Sequence, residues 1–175
     1  MTKQRIIVIG LTGIFVFGLL IGGQFIYKKN WVEGDYIRQS QSIAGVEAAQ
    51  LVTVNGAKAL QVSLHDISDL RGVCLQLENL TGDLPIQLLD HRNDYLNQTL
   101  QDMQFALQEG IAQGNFTEMA AAIYQMGADA NVAVGLTMDQ QSLYLTLERD
   151  EAQLLEVISR NEAGKYLLSQ GGVRP

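Results

Sequence analysis

The sequence predicts an α+β protein: an N-terminal transmembrane helix followed by one small domain, in which a mainly antiparallel sheet is covered by helices on one face. Three observations carry this reading. Residues 6–26 form one apolar run, stretches of period-two alternation recur near residues 50–64 and 132–147, and stretches of helical period lie between them. A chain of 175 residues has room for one domain plus an anchor and too little for two sizeable cores.

In the apolar run only Thr12 and Gln24 carry polar side chains, and no residue is charged. As a helix its 21 positions rise about 31 Å, against a hydrocarbon core of about 30 Å. Lys3 and Arg5 precede it, and Tyr27, Lys28, Lys29 and Trp31 follow, the residue types that settle at headgroup level. The expected organisation is therefore a basic tail at 1–5, an anchor at 6–26 and a partly helical linker at 27–48. An α+β domain at 49–162 and a flexible tail at 163–175 complete it. The anchor residues are Ile6, Phe15, Gly18, Gly22 and Ile26, with Tyr27 and Trp31 at the interface and the lipid bilayer as partner. A cleaved signal peptide would have a shorter apolar core, about 7–15 residues, and a small-residue cleavage site. Gly18 and Gly22 have the GxxxG spacing that lets two membrane helices approach, although glycine is common in such helices without that role. The basic residues on the two flanks are nearly balanced. The short tail and the acidic, Lys-poor body favour a cell-membrane protein whose C-terminal domain is extracytoplasmic.

Charge is unevenly placed. The chain has 12 basic and 19 acidic residues, net −7, and four of the basic ones lie in the first 29 positions, where no acid occurs. Residues 30–175 thus hold 8 basic and 19 acidic groups, net −11. Such a body repels phosphate backbones, so nucleic acid is not an expected partner. Cys74, the single cysteine, excludes an intramolecular disulfide and a Cys-rich zinc site. The composition is neither disordered nor collagen-like.

Past the linker, which the pattern breaks at Gly45, Leu51, Val52, Thr53 and Val54 favour a strand. Asn55-Gly56 suits a tight hairpin, and Leu60, Val62 and Leu64 alternate with Ala59, Gln61 and Ser63. Ser68 can cap a helix over 69–80, with Leu70, Val73, Leu77 and Leu80 as its stripe, Cys74 beside it as a core filler, and Gly82 at its end. Pro85 opens a short strand over 86–90. Asn93 or Asp94 caps a helix whose Leu96, Leu100, Met103, Leu107 and Ile111 share a face and which ends near 110–114. Asn115 or Thr117 restarts a shorter helix, with Phe116, Met119, Ala120, Ile123 and Tyr124 inward and Gly127 as its stop. Val132, Val134, Leu136 and Met138 alternate with Ala133, Gly135 and Thr137, and Leu143, Leu145 and Leu147 follow a turn, giving two strands with one apolar face each. Residues 151–160 read as a short helix and 170–175 as a frayed end.

Motifs that carry chemistry are sparse. No phosphate-binding loop, dinucleotide fingerprint, nucleophile elbow or zincin motif occurs. Both histidines adjoin an aspartate, in His65-Asp66 and Asp90-His91, but neighbours in a strand point to opposite faces, so neither pair is a ready dyad. Were the two strand ends side by side, His65, Asp66, Asp90, His91 and Asp94 could gather into a metal site of two histidines and a carboxylate. The ordinary reading, polar residues where strands turn into loops, is preferred, and no metal, cofactor or catalytic residue is expected. The sequons at Asn79, Asn97 and Asn115 are treated as incidental.

Residues 42–46, SIAGV, followed by VTV, NG, LQVSL and DLRGVCLQLENLTG, run in the order helix, strand, strand, helix, strand. This resembles the ring-building modules of bacterial secretion and sporulation channels. The chain as a whole resembles uncharacterised single-pass membrane proteins of Gram-positive spore-forming bacteria, with a short basic tail and one acidic domain. The overlap covers about 50 residues and departs from the ring modules in the helical insertion over 94–127 and the hairpin after it. It implies fold class and locale, and it carries over no functional residue.

The expected function is that of a membrane-anchored, non-catalytic protein whose acidic domain mediates protein interaction or assembly at the cell envelope, with a protein partner or a second copy. The candidate interaction face is Ala133, Gly135 and Thr137, together with an unpaired strand edge. The alternative is a tethered ligand-binding or sensory domain, or an enzyme with a site near His65 and His91. Five residues before the anchor leave no output module of their own, which favours the first reading.

Overall fold

The computed structural model describes residues 33–54 and 56–160, and the backbone of 166–168. The expected anchor over 6–26, with Ile6, Phe15, Gly18, Gly22, Ile26, Tyr27 and Trp31, lies outside them; among the described residues no helix is long and apolar enough to cross a membrane. Two compact units divide between Arg38 and Gln39. Helix α1, Glu33–Ser40, straddles the division, and Arg38 pairs with Asp35 at 2.7 Å within the first unit.

The second unit is α+β, as expected, but it holds two sheets rather than one. In the first, β1 (Val46–Val54) and β2 (Ala57–Leu64) form the predicted hairpin, and β3 (Ile86–Leu89) runs parallel to β2. Strand β7 (Tyr166–Leu168), within the stretch expected as a flexible tail, adds parallel to β3, so the order is β1-β2-β3-β7. A parallel neighbour requires a crossover, and the crossover from β2 to β3 is helix α2, Leu70–Thr81. Its N-cap is Asp69 rather than Ser68: the Asp69 carboxylate accepts the Gly72 N–H at 2.9 Å. Leu70, Val73, Cys74 and Leu77 on this helix are buried, which gives Cys74 its expected place as filler.

Helices α3 (Asp94–Gln113) and α4 (Phe116–Asp129) follow, with Asn93 capping the first through the Leu96 N–H and Gly114 ending it in the left-handed region. Helix α4 does not stop at Gly127. That glycine sits inside it because α4 crosses close to the next strand, and a side chain there would run into Val134. Met119 and Ile123 point inward as expected, whereas Tyr124 is 47% exposed.

The second sheet is the antiparallel meander β4 (Ala133–Met138), β5 (Ser142–Arg149), β6 (Ala152–Ser159). Strand β6 replaces the helix expected over 151–160. Leu154, Leu155, Val157 and Ile158 fit a helical stripe in isolation, but Asp150 in the left-handed region (φ +57°) turns the chain back on itself. Arg149 then pairs with Ala152, and the ladder continues to Ser142 and Ser159. Tertiary pairing overrides the local period. Leu143, Leu145 and Leu147 of β5 and Leu154 of β6 pack with Leu96, Leu100, Met103, Leu107, Met119 and Ile123 in one core. The other face of β5 is covered as well, since Tyr144 is buried and α2 packs there, so the helices do not all lie on one side.

Leu145 is fully buried at the centre of this core. Leu145→Ala is expected to destabilise the protein by about 2–5 kcal/mol through lost burial and a residual cavity, read from urea unfolding.

Candidate functional site

The two sheets meet at residues 90–92, just past β3. Asp90 is buried and accepts the Leu155 N–H of β6 at 2.7 Å, while the Arg92 guanidinium donates to both its carboxylate oxygens, at 2.8 Å each at the shortest. Arg92 also donates to the Leu155 carbonyl at 3.1 Å and lies 3.4 Å from the Glu156 carboxylate. Burial works against the Arg92 charge, but the hydrogen bonds and charge of Asp90, with Glu156, hold its pKa above the ordinary value. Burial pushes the Glu156 carboxyl up, against the pull of Arg92 and with Asp90 adding to the rise.

Asp90 and Arg92 turn toward β6, and alternation along an extended chain turns His91 the other way. Its backbone stays on the seam: the His91 carbonyl accepts the Gln153 N–H at 3.2 Å, the one isolated bridge between the sheets among the described residues. Gln153 is 6% exposed, and its side-chain amide bonds both backbone groups of Ile67, accepting the N–H at 2.9 Å and donating to the carbonyl at 3.1 Å. One residue of β6 therefore ties down both segments that carry a histidine.

The parallel register then sets the histidines side by side. Ser63 pairs with Leu89, and the same offset carried two residues on places His65 beside His91. The rings meet edge to face with centroids 5.0 Å apart. The third member comes from β1, where the register shifts between Val46 and Ala48. The extra residue of this β-bulge is Glu47; a bulge re-aims a side chain that strict alternation would send to the same side as buried Ala49. The Glu47 carboxylate lies 3.2 Å from His91 Nε2. Behind it Gly45, at φ +84°, accepts the His65 N–H at 3.0 Å, and a side chain at Gly45 would meet Ile67. Glu47, His65 and His91 are all exposed, and one donor atom from each lies within 4.8 Å of the others.

The expected gathering of polar residues is thus realised in part. His65 and His91 come together, Asp90 faces the seam, and neither Asp66 nor Asp94 belongs to the donor group. Glu47 was missed in the sequence, because only a register shift brings it there and a single sequence carries no mark of a bulge.

The predicted face on β4 is at an edge of its sheet, and Ala133, Gly135 and Thr137 are all exposed. A side chain at Gly135 would come 2.9 Å from Thr146 Oγ1 on β5, so the face is flat there by necessity. The turn after β4 is closed by Asp139, whose carboxylate accepts the Gln141 and Ser142 N–H groups at 2.8 Å each and the Tyr144 hydroxyl at 2.9 Å. Burial raises the pKa of Asp139, but these bonds and the charge of Arg71 outweigh it and hold the carboxyl below its ordinary value. Burial and the same carboxylate push the Tyr144 hydroxyl well above its own. The chain matches no protein-family model, no curated protein and no solved structure.

Arg92→Ala leaves the buried Asp90 carboxylate and the half-buried Glu156 carboxylate close together without a cation and is expected to cost about 3–5 kcal/mol, measured by urea unfolding. The two perturbed carboxylates act on the pH profile with opposite signs. Glu156 has a raised folded pKa, so its contribution is full below about 4.5 and is lost as pH rises through the higher folded value. Asp139 has a lowered one, so its contribution is present above about 3.8 and is lost as pH falls through the lower folded value. In unfolding across an acid-to-neutral series, Glu156→Gln is expected to remove the decline above pH 4.5, and Asp139→Asn the loss at the acid end.

Proposed function

We infer that the protein is a membrane-tethered, non-catalytic module whose acidic domain takes up an extended segment of a protein partner in an assembly at the cell envelope. The observation that carries this is β4. It is an edge strand, no strand pairs its outer side among the described residues, and its exposed positions are the small Ala133, Gly135 and Thr137 and, at its end, Met138. Small side chains let another backbone come close, and an edge offers the free N–H and C=O groups that strand addition uses. The apolar run at 6–26 supports the tether, and the sequence resemblance to ring-building modules would suit an assembly role. The net charge of −11 over residues 30–175 favours a partner with a basic surface.

The test is crosslinking and affinity recovery of the full-length protein from its native membrane, beside Ala133→Lys. Ala133 is exposed and sits opposite Glu148 on β5, so a lysine there meets an opposite charge across the ladder and sets a like charge against a basic partner; Gly135 is the poorer choice, because any side chain there presses on Thr146. A defined assembly recovered with the wild type and lost with Ala133→Lys, at equal Tm, is the expected outcome. Equal recovery with both proteins rules out the β4 face.

A further inference from the structure

We propose that Glu47, His65 and His91 form a binding site for a divalent transition-metal ion of the zinc class, held by one carboxylate oxygen and two imidazole nitrogens, with the remaining position open to solvent. This goes beyond the interaction reading and rests on none of its residues. The donor set is the first argument. Two nitrogens and one oxygen suit zinc and its neighbours, whereas calcium and magnesium take oxygen ligands throughout.

Geometry is the second argument. Two ligands of a tetrahedral zinc, each about 2.0–2.1 Å from the ion, stand about 3.3 Å apart. His91 Nε2 and Glu47 Oε2 are already 3.2 Å apart, and the largest separation in the trio is within 4.8 Å. Both remaining pairs involve His65, whose side chain is exposed and so has room to turn toward the other two.

The scaffold is the third. Two ligands sit on backbone held by bonds of their own, His65 by Gly45 and His91 by Gln153, and Glu47 lies between Val46 and Ala48, both paired in the β1–β2 ladder. Sites built on such fixed elements lose little freedom when the ion enters. The chain has only 2 histidines, 26 positions apart, and the fold brings them into ring contact. A surface ion pair between His91 and Glu47 would be worth little and would require no second imidazole.

The experiment uses the full-length chain in detergent micelles, without a histidine tag, stripped with EDTA and titrated with zinc chloride. Calorimetry gives stoichiometry and affinity, and imidazole 15N NMR follows the two histidines directly. One zinc per chain, with both imidazoles shifting together by one equivalent, is expected. His65→Ala, His91→Ala and Glu47→Gln are each expected to weaken binding by at least the about 10–100-fold that loss of an outer-shell partner costs, and Cys74→Ser to leave it unchanged. The proposal is overturned if only one imidazole or neither responds, if the double histidine variant keeps wild-type affinity, or if Cys74→Ser abolishes binding. Should a variant fail to fold, the wild-type imidazole spectra decide alone. Partner recovery is read independently, so failure of one proposal leaves the other standing.

Discussion

The bidentate pair between Asp90 and Arg92, docked on the backbone of Leu155, is the contact on which the arrangement of the second unit depends. The core formed by α3, α4 and the β4-β5-β6 meander needs only hydrophobic burial, and the β1-β2-β3-β7 sheet has its ladders and the buried Leu60, Val62, Leu64 and Ile86. Neither dictates how the two sheets meet. A carboxylate and a guanidinium fixed on one N–H and one C=O of β6 do so, since charge-assisted hydrogen bonds are directional in a way apolar contact is not. A buried pair of this kind is weak evidence of net stability, because desolvation offsets much of the attraction. Its contribution is geometric.

That geometry passes to the donor cluster through simple alternation. With Asp90 and Arg92 turned to β6, His91 has one direction left, and the parallel register with β2 puts His65 there. An antiparallel β2–β3 pair would have brought the start of β3 to the end of β2 and parted the histidines. The crossover helix α2 is therefore a condition of the site, though it contributes no residue to it. The bulge at Glu47 completes the trio by local irregularity in β1.

Much of this was legible in the sequence and some was not, for physical reasons that differ by element. Helix α3 shows clearly because its cap at Asn93, its stripe and its terminal Gly114 all agree. The β1–β2 hairpin and the β4–β5 pair show because strict alternation with turn residues has few other solutions. Residues 151–160 misled because Leu154, Leu155, Val157 and Ile158 satisfy a helical spacing, and only pairing with β5 over its whole length decides for a strand. The parallel pairing of β3 and its long reach to β7 are non-local and leave no local trace. At the site, the two histidines were visible as candidates and their adjacency depended on register. Glu47 was hidden among an acidic surface.

Gln153 shows how closely the two halves are joined. Its backbone N–H binds the carbonyl of His91, and its side-chain amide imitates a strand partner for Ile67, two residues past His65. A displacement of β6 would thus move both histidine segments, whereas β4 is separated from them by β5 and β6. A partner strand added to the outer edge of β4 would extend the meander without crossing the seam. The fold accordingly keeps its open edge and its donor cluster on opposite sides of the same polar joint. Strand β6 is one link between them, held in place by the buried Gln153 and Asp90–Arg92 contacts, and α2, which joins β2 to β3 and packs on β5, is another.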